Sequence, residues 1–458
     1  MWLASVVGIR GAARALTACL AFAVAQAVGI ETAAARLVVM HGYADLTSAM
    51  LWIQADAPGA VSVSWRADGD TEPRQIALVA DAANDNVVVA RLTGMQPGMR
   101  ATYRVDAGAE HRDGTVRAQP RWATSADAAT LTFAIGSCFF PADADPRFSR
   151  ADYGGGYGIF AAITAQAPDL MLWLGDNLYL QRPDFYDPAS MAMRYRRQRG
   201  AEALQELLTA TAHLAIWDDH DYGPNDSDAS YRLKGETLKL FERYWPNPSF
   251  GLPEAPGTFG LARYGDVLFF LLDDRYYRSP NAAPDGPDKT MLGTRQLQWL
   301  KQALLDAPRG SLKIVASGNQ FWHRGHRFEG WHRFATERQA FAEWLFAHKV
   351  EGLLFLSGDR HFSELLRVAR PGAYPIYEFT SSPLTSRSPA RLDRADRDNP
   401  DVVPGTLVAK RQFGLVRVSG PSGDRRVTLE SRDTTGALVW RHELRERELR
   451  FPRQSSPP

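Results

Sequence analysis

The sequence predicts an α/β layered domain preceded by a small all-β sandwich. Three observations carry that expectation. Short runs rich in Val, Trp and Tyr, broken by Gly and Pro, occupy residues 36–125. Five apolar runs that do not alternate follow after Thr130, with helical stretches between several of them. Several of those runs end in side chains able to bind metal ions.

A chain of 458 residues exceeds one ordinary core, so two or three domains are expected. Its composition, 45% hydrophobic, 23% charged and 11% aromatic, is that of a globular protein. A formal net charge of +1 gives no pointer to nucleic acid or an anionic membrane. It leaves room for a small phosphorylated substrate, because a local cationic site can sit within a neutral total.

The first element is a targeting segment. Arg10 and Arg14 precede the apolar run Ala15 to Gly29. Small-residue cleavage points end at Ala25, Ala27 or Ala35, so a secretory signal is expected over 1–27, extending at most to 35. A membrane anchor is the alternative, but the run falls short of the roughly 20 residues a spanning helix needs. No twin-arginine pair is present, and no other stretch is long and apolar enough to cross a bilayer. The mature protein is expected to be periplasmic or extracellular, without a stable membrane anchor.

Cleavage removes Cys19 and leaves Cys138 alone in "FAIGSCFFP", which excludes an intrachain disulfide. Taken singly, such a cysteine reads equally as a buried apolar residue at a strand end.

From 36 to 125, "TSAMLWIQA", "AVSVSWRA", "NVVVARL" and "RATYRV" read as short strands of an immunoglobulin- or fibronectin-like sandwich. Ser125 to Ala129 reads as a linker. The second domain is expected over 130–446. Its buried strands are "LMLWL" (170–174), "LAIW" (214–217), "VLFFLL" (267–272), "LKIVAS" (312–317) and "LLFLS" (353–357). Helices are expected near 157–166, 230–244, 294–305 and 336–348. "FGLVRVS", "RRVTLES" and "ALVWRHE" read as antiparallel additions. Ser386 to Pro400 reads as an exposed loop and 447–458 as a disordered tail.

Chemistry gathers where the buried strands end. "LTFAIGS" ends in Cys138, "LMLWL" leads to Asp176 and Tyr179, "LAIW" to Asp218-Asp219-His220-Asp221, and "LLFLS" to Asp359-Arg360-His361. Ligands of α/β sheets bind beyond the carboxyl ends of strands. Carboxylates that close repel one another and stay ionised only beside a counter-cation. A polynuclear metal centre satisfies both conditions. Asp176 after its glycine could bridge two cations, with helix capping as the alternative. Asp219 is assigned to metal and His220 to substrate. Asn225 and Asp226 in "GPND" are candidate oxygen ligands or turn formers. Asp359 and His361, two apart, face one side of an extended segment. Glu364 is a candidate partner that orients His361, or else a surface carboxylate. Asn319, Gln320, His323 and His326 follow another buried strand and are candidates to line the pocket. A thiolate and a phenolate are strong donors to Fe(III), whereas carboxylate oxygens and Asn suit Ca, Mg or Mn.

The motifs "FAIGSC", "LWLGDNLY", "IWDDHDYGPND", "LLFLSGDRHFSE" and "YEFTSSPLTS" occur in the order seen in alkaline phosphatase D (PhoD-like) proteins. The chain resembles that branch of the calcineurin-like metallophosphoesterases over nearly all of its length after the signal. The resemblance implies a four-layer α/β/β/α fold and hydrolysis of a phosphate ester. It implies Cys138, Asp176, Tyr179 and Asp359 as iron-side ligands, with Asp176 bridging to calcium and Asp219, Asn225 and His361 completing the site. His220 would stabilise the transition state or protonate the leaving group, and Arg360 could offset equatorial charge. The implied cofactors are Fe(III) and Ca(II), with other divalent ions as alternatives. The implied chemistry is attack on phosphorus by water activated at the metals. The wider superfamily carries Asp-x-His where this chain has Cys138. Alternatives are a phosphodiesterase or phospholipase-D-like activity, and a secreted binding protein without turnover.

Overall fold

The computed structural model describes residues 36–121, 130–140 and 157–452. The expected signal segment, the linker Ser125–Ala129 and residues 453–458 lie outside them. No helix among the described residues is long and apolar enough to cross a membrane.

The first seven strands are β1 (Val38–Ala44), β2 (Ser48–Gln54), β3 (Gly59–Ala67), β4 (Arg74–Ala80), β5 (Val87–Thr93), β6 (Arg100–Ala107) and β7 (Glu110–Arg117). They form two antiparallel sheets, β1-β2-β5 and β4-β3-β6-β7. Alternate residues such as Leu51, Ile53, Val63, Trp65 and Tyr103 fill the space between. The sequence runs missed β1, β4 and β7. The latter two are edge strands that expose most of their residues, so their apolar pattern is thin.

After them come β8 (Leu131–Gly136), β9 (Leu170–Leu174), β10 (Ala212–Ile216), β11 (Gly260–Tyr264), β12 (Val267–Leu271), β13 (Leu312–Ala316), β14 (Leu353–Ser357), β15 (Ser363–Val368), β16 (Ile376–Ser381), β17 (Gln412–Ser419), β18 (Arg426–Asp433) and β19 (Leu438–Arg445). They build two six-stranded sheets ordered β10-β9-β8-β17-β18-β19 and β11-β12-β13-β14-β16-β15. Each has a parallel part, β10/β9/β8 forming one half of the first sheet and β12/β13/β14/β16 the centre of the second. The last three strands are the expected antiparallel meander.

The sheets face one another across a shared core, in which Phe133 meets Phe269 edge-on at 5.1 Å. The other face of the first sheet presents Met171, Trp173, Ala215 and Trp217 to the helices Gly158–Thr164, Pro188–Arg199, Glu202–Ala210 and Lys234–Tyr244. Helices Thr294–Asp306 and Ala335–Ala347 contribute Leu300, Leu304, Phe341 and Leu345 to the core of the second sheet. The four layers explain why the runs do not alternate: both faces of each central strand are covered.

The sandwich shares a core with this domain. Val38, Met40 and Trp52 pack with Phe241 and Trp245, and Trp52 Nε1 donates to the Arg243 carbonyl at 2.6 Å.

One helix lies where none was expected, and one expectation needs correction. Pro188–Arg199 is a helix started by Asp187, whose carboxylate accepts from Ala189 N and Ser190 N, with proline in the first turn. That capping signal was readable but went unused. The tail is ordered further than expected, since Leu449 is buried and Phe451 packs against Tyr374 with ring centres 5.3 Å apart.

Candidate metal centre

The carboxyl ends of β8, β9, β10, β13 and β14 come together at one rim. Close backbone approach makes this possible. A Cβ on Gly358 would lie 2.5 Å from the Leu174 carbonyl oxygen and 2.6 Å from Ser137 Cβ, so only glycine lets the two sheets meet there. Gly175, at φ 87°, turns the chain out of β9. Five candidate residues then sit in the left-handed region that non-glycine residues avoid: Cys138 (58°), Asp176 (51°), Asp226 (58°), Asp359 (61°) and His361 (57°). Such strain concentrates where side chains must be aimed.

Cys138 is fully buried, with Sγ 3.5 Å from Asp176 Oδ2 and 3.8 Å from the Asp359 carbonyl oxygen. Tyr179 OH donates to Asp176 Oδ2 at 3.2 Å and lies 3.4 Å from His361 Nε2. Single ligand atoms of Cys138, Asp176 and His361 all fall within 4.8 Å of one another. Asp176, Asp219 and His220 form a second such group, so Asp176 joins the two. His220 donates its backbone N–H to Asp176 Oδ1 at 3.2 Å, and its ring stacks on Tyr179 at 4.2 Å.

The three carboxylates of "WDDHD" do three different things. Asp221 accepts from Asp218 N and Asn177 N, each at 3.0 Å, and so fixes the turn. Asp218 is sealed behind the rim by Arg275 and by Asn319 Nδ2 at 3.2 Å. Asp219 faces the site. Its Oδ2 accepts from Asp226 N at 2.7 Å, while its buried Oδ1 has no hydrogen-bond partner.

These residues fit cations. An orphaned carboxylate oxygen in a buried site is costly without a counter-charge. Burial, with Cys138 and Asp219 adding repulsion, drives the Asp176 carboxyl well above the usual range. Burial, then Glu329, pushes Asp359 up to about 7. A bound cation would remove that penalty, and the mixed set of sulfur, phenol, imidazole and carboxylate donors can serve two ions of different softness.

A cavity of about 530 Å³ opens above the rim, lined at its floor by Asp176, Asp219, His220, Asn225, Asp359 and His361. Asn225 donates to Asp226 Oδ1 at 2.9 Å. Arg360 lines the cavity too, held by Asp396 at 2.9 and 3.1 Å and by His326 Nδ1 at 3.1 Å. Asp396 belongs to the segment expected to be an exposed loop. Much of that segment, from Arg387 to Asp396, forms a wall of the cavity instead. Glu364 is neither a surface group nor paired with His361 by hydrogen bonding: it is buried and accepts from Gln320 Nε2. Asn319 lies behind the rim, and His323 packs under Arg360 beside His326.

Sequence reasoning missed Ser382, Arg275 and Glu329. Ser382 Oγ lies 3.0 Å from Cys138 Sγ and accepts from His361 N at 3.0 Å. Arg275 and Arg278 clamp Glu329, which falls within 4.8 Å of Asp219 and Asp226. For Arg275 the signal was the charged run "DDRYYR" directly after a buried strand, and Ser382 lay within the quoted motif "YEFTSSPLTS". Arg275 is fully buried between Asp218 and Glu329. Arg275→Met therefore leaves buried Asp218 without its cation and Glu329 with Arg278 alone. The expected loss is about 3–5 kcal/mol of unfolding free energy, read from the denaturant midpoint. A loss below about 1 kcal/mol would mean that other cations take over the pair.

Two facing sheets with candidate metal ligands gathered at one rim fit the architecture of a metal-dependent phosphoester hydrolase. Residues 147–428 match the PhoD-like phosphatase family, and the chain belongs to it. A solved structure of PhoD is similar with a TM-score of 0.73 and 20% identity, covering 92% of each chain. Purple acid phosphatase PPD1 isolated from yellow lupin (Lupinus luteus) seeds is similar with a TM-score of 0.63 and 11% identity, over 92% of this chain and 78% of that one. At these identities the likeness concerns the fold alone. No curated protein matches the sequence.

Proposed function

We propose that the protein is an exported phosphoesterase that works with Fe(III) and Ca(II). The observation that supports this most is the convergence of a buried thiol, a phenol, two imidazoles and several carboxylates beneath one cavity, with an orphaned Asp219 oxygen among them. Cys138, Asp176, Tyr179 and Asp359 would hold iron, Asp176 would bridge, Asp219 and Asn225 would serve calcium with oxygen donors, and His361, grouped with Cys138 and Asp176, would complete the site. When bound, the two cations supply charge neutralisation of the phosphoryl oxygens and acidification of water.

The chain's own residues do the rest. The His220 backbone N–H holds Oδ1 of Asp176 and so orients the central carboxylate. The His220 ring, held flat on Tyr179, lines the cavity where a leaving oxygen would emerge and donates a hydrogen bond to it. Arg360, locked by Asp396 and His326, presents positive charge to the wall without swinging into the site.

Elemental analysis of the purified protein tests the metal assignment. Near-stoichiometric iron and calcium are expected, together with hydrolysis of an aryl phosphate monoester or diester that a chelator abolishes. Two transition ions without calcium would overturn the Fe–Ca pair. Hydrolysis unaffected by stripping would overturn metal dependence, and no turnover of either ester would overturn the enzyme reading.

A further inference from the structure

The charges around the cavity do not balance on its outer wall. Apart from the candidate ligands and the adjoining Asp226, the lining carries Arg327, Arg360, Arg387 and Arg391 against Glu329, Asp393 and Asp396. Asp393 pairs with Arg327 at 2.9 Å, Asp396 with Arg360 at 2.9 Å, and Glu329 with Arg275 and Arg278 from behind. Arg387 and Arg391 are left with no acidic partner among the described residues, and both are exposed. They sit on one segment that starts against the floor, because Ser386 N donates to the Cys138 carbonyl at 3.1 Å. Four residues of extended chain reach at most about 14 Å, so both guanidinium-bearing residues lie within that distance along one cavity wall. Between them Pro389 and Ala390, with Leu392 beyond, add apolar surface but no counter-charge.

We propose that Arg387 and Arg391 bind a second anionic group of the substrate, one separate from the phosphoryl group attacked at the rim. The substrate class is thus a phosphate ester carrying a further phosphate or carboxylate. This rests on the phosphoesterase reading above. Guanidinium forks suit such groups because they donate two parallel hydrogen bonds to a carboxylate or phosphate. Unpaired cations at a cavity mouth also attract polyanions from solution.

The test compares thymidine 5′-phosphate with thymidine 3′,5′-bisphosphate as competitive inhibitors of the metal-loaded protein, with 4-nitrophenyl phosphate and bis(4-nitrophenyl) phosphate as reporter substrates. The bisphosphate is expected to bind about tenfold tighter or better at low ionic strength. In Arg387→Gln/Arg391→Gln that advantage should shrink to about twofold, and the corresponding lysine pair should restore part of it. Equal inhibition constants in the unaltered protein would overturn the proposal, as would an advantage that survives the double substitution. If neither reporter is hydrolysed, the phosphoesterase reading fails instead, and calorimetric binding of the same two nucleotides then decides the anion site by itself.

Discussion

Replacing His220 by alanine is expected to lower kcat by about 10²–10⁴-fold, the usual contribution of a positioned proton donor, while iron and calcium content stay unchanged. The expectation follows from how the residue is held. Its backbone N–H is committed to Asp176 Oδ1, and alanine keeps that bond. Its ring stacks on Tyr179 and leaves Nδ1 without a partner. The variant therefore removes an imidazole from the cavity while the backbone that fixes the central carboxylate is preserved. Elemental analysis beside steady-state kinetics separates the two roles. Loss of either metal in the variant would move His220 among the ligands and end its assignment to the leaving oxygen.

Cys138→Ser should bind far less iron and lose activity in step with the loss. The thiol sits at the bottom of the site, and burial pushes it up to about 11 in the absence of a cation. A metal ion reverses that by holding the thiolate, whereas a serine hydroxyl is a much weaker acid and a harder donor. The fold should tolerate the change. Serine is close in size, and Ser137 and Ser382, already beside the sulfur, can hydrogen-bond its hydroxyl. Thermal melting of the metal-free variant near that of the metal-free parent would show that tolerance. Unchanged iron content would return Cys138 to a packing residue.

The layered core was readable because its strands are apolar on both faces. "LMLWL" and "LLFLS" have no alternation to misread, and they are the central strands β9 and β14. The edge strands β4 and β7 were not, since water covers much of their surface and asks little of their sequence. The same divide runs through the site. Cys138, Asp176, Asp219 and His361 were picked out because each ends a strand, and the backbone brings them within a few ångströms. Arg275 and Glu329 were missed because their importance is mutual: they lie 54 positions apart, and only the folded chain reveals the pair. The wall from Arg387 to Asp396 was misjudged for a different reason. Arginine, aspartate and proline are the residues of solvated loops, and composition does not tell a loop facing water from one facing a cavity.

One ribbon joins the mouth of the cavity to its floor. At one end Leu384 N and Ser386 N bond the carbonyls of Ser137 and Cys138, and at the other Asp396 grips Arg360. Between these two moorings the chain lines the cavity wall. Exchanges of residues within that span would therefore reshape the wall that meets a ligand while leaving both moorings in place. A mutation at either mooring would change what the enzyme accepts and how it holds its metals in a single step.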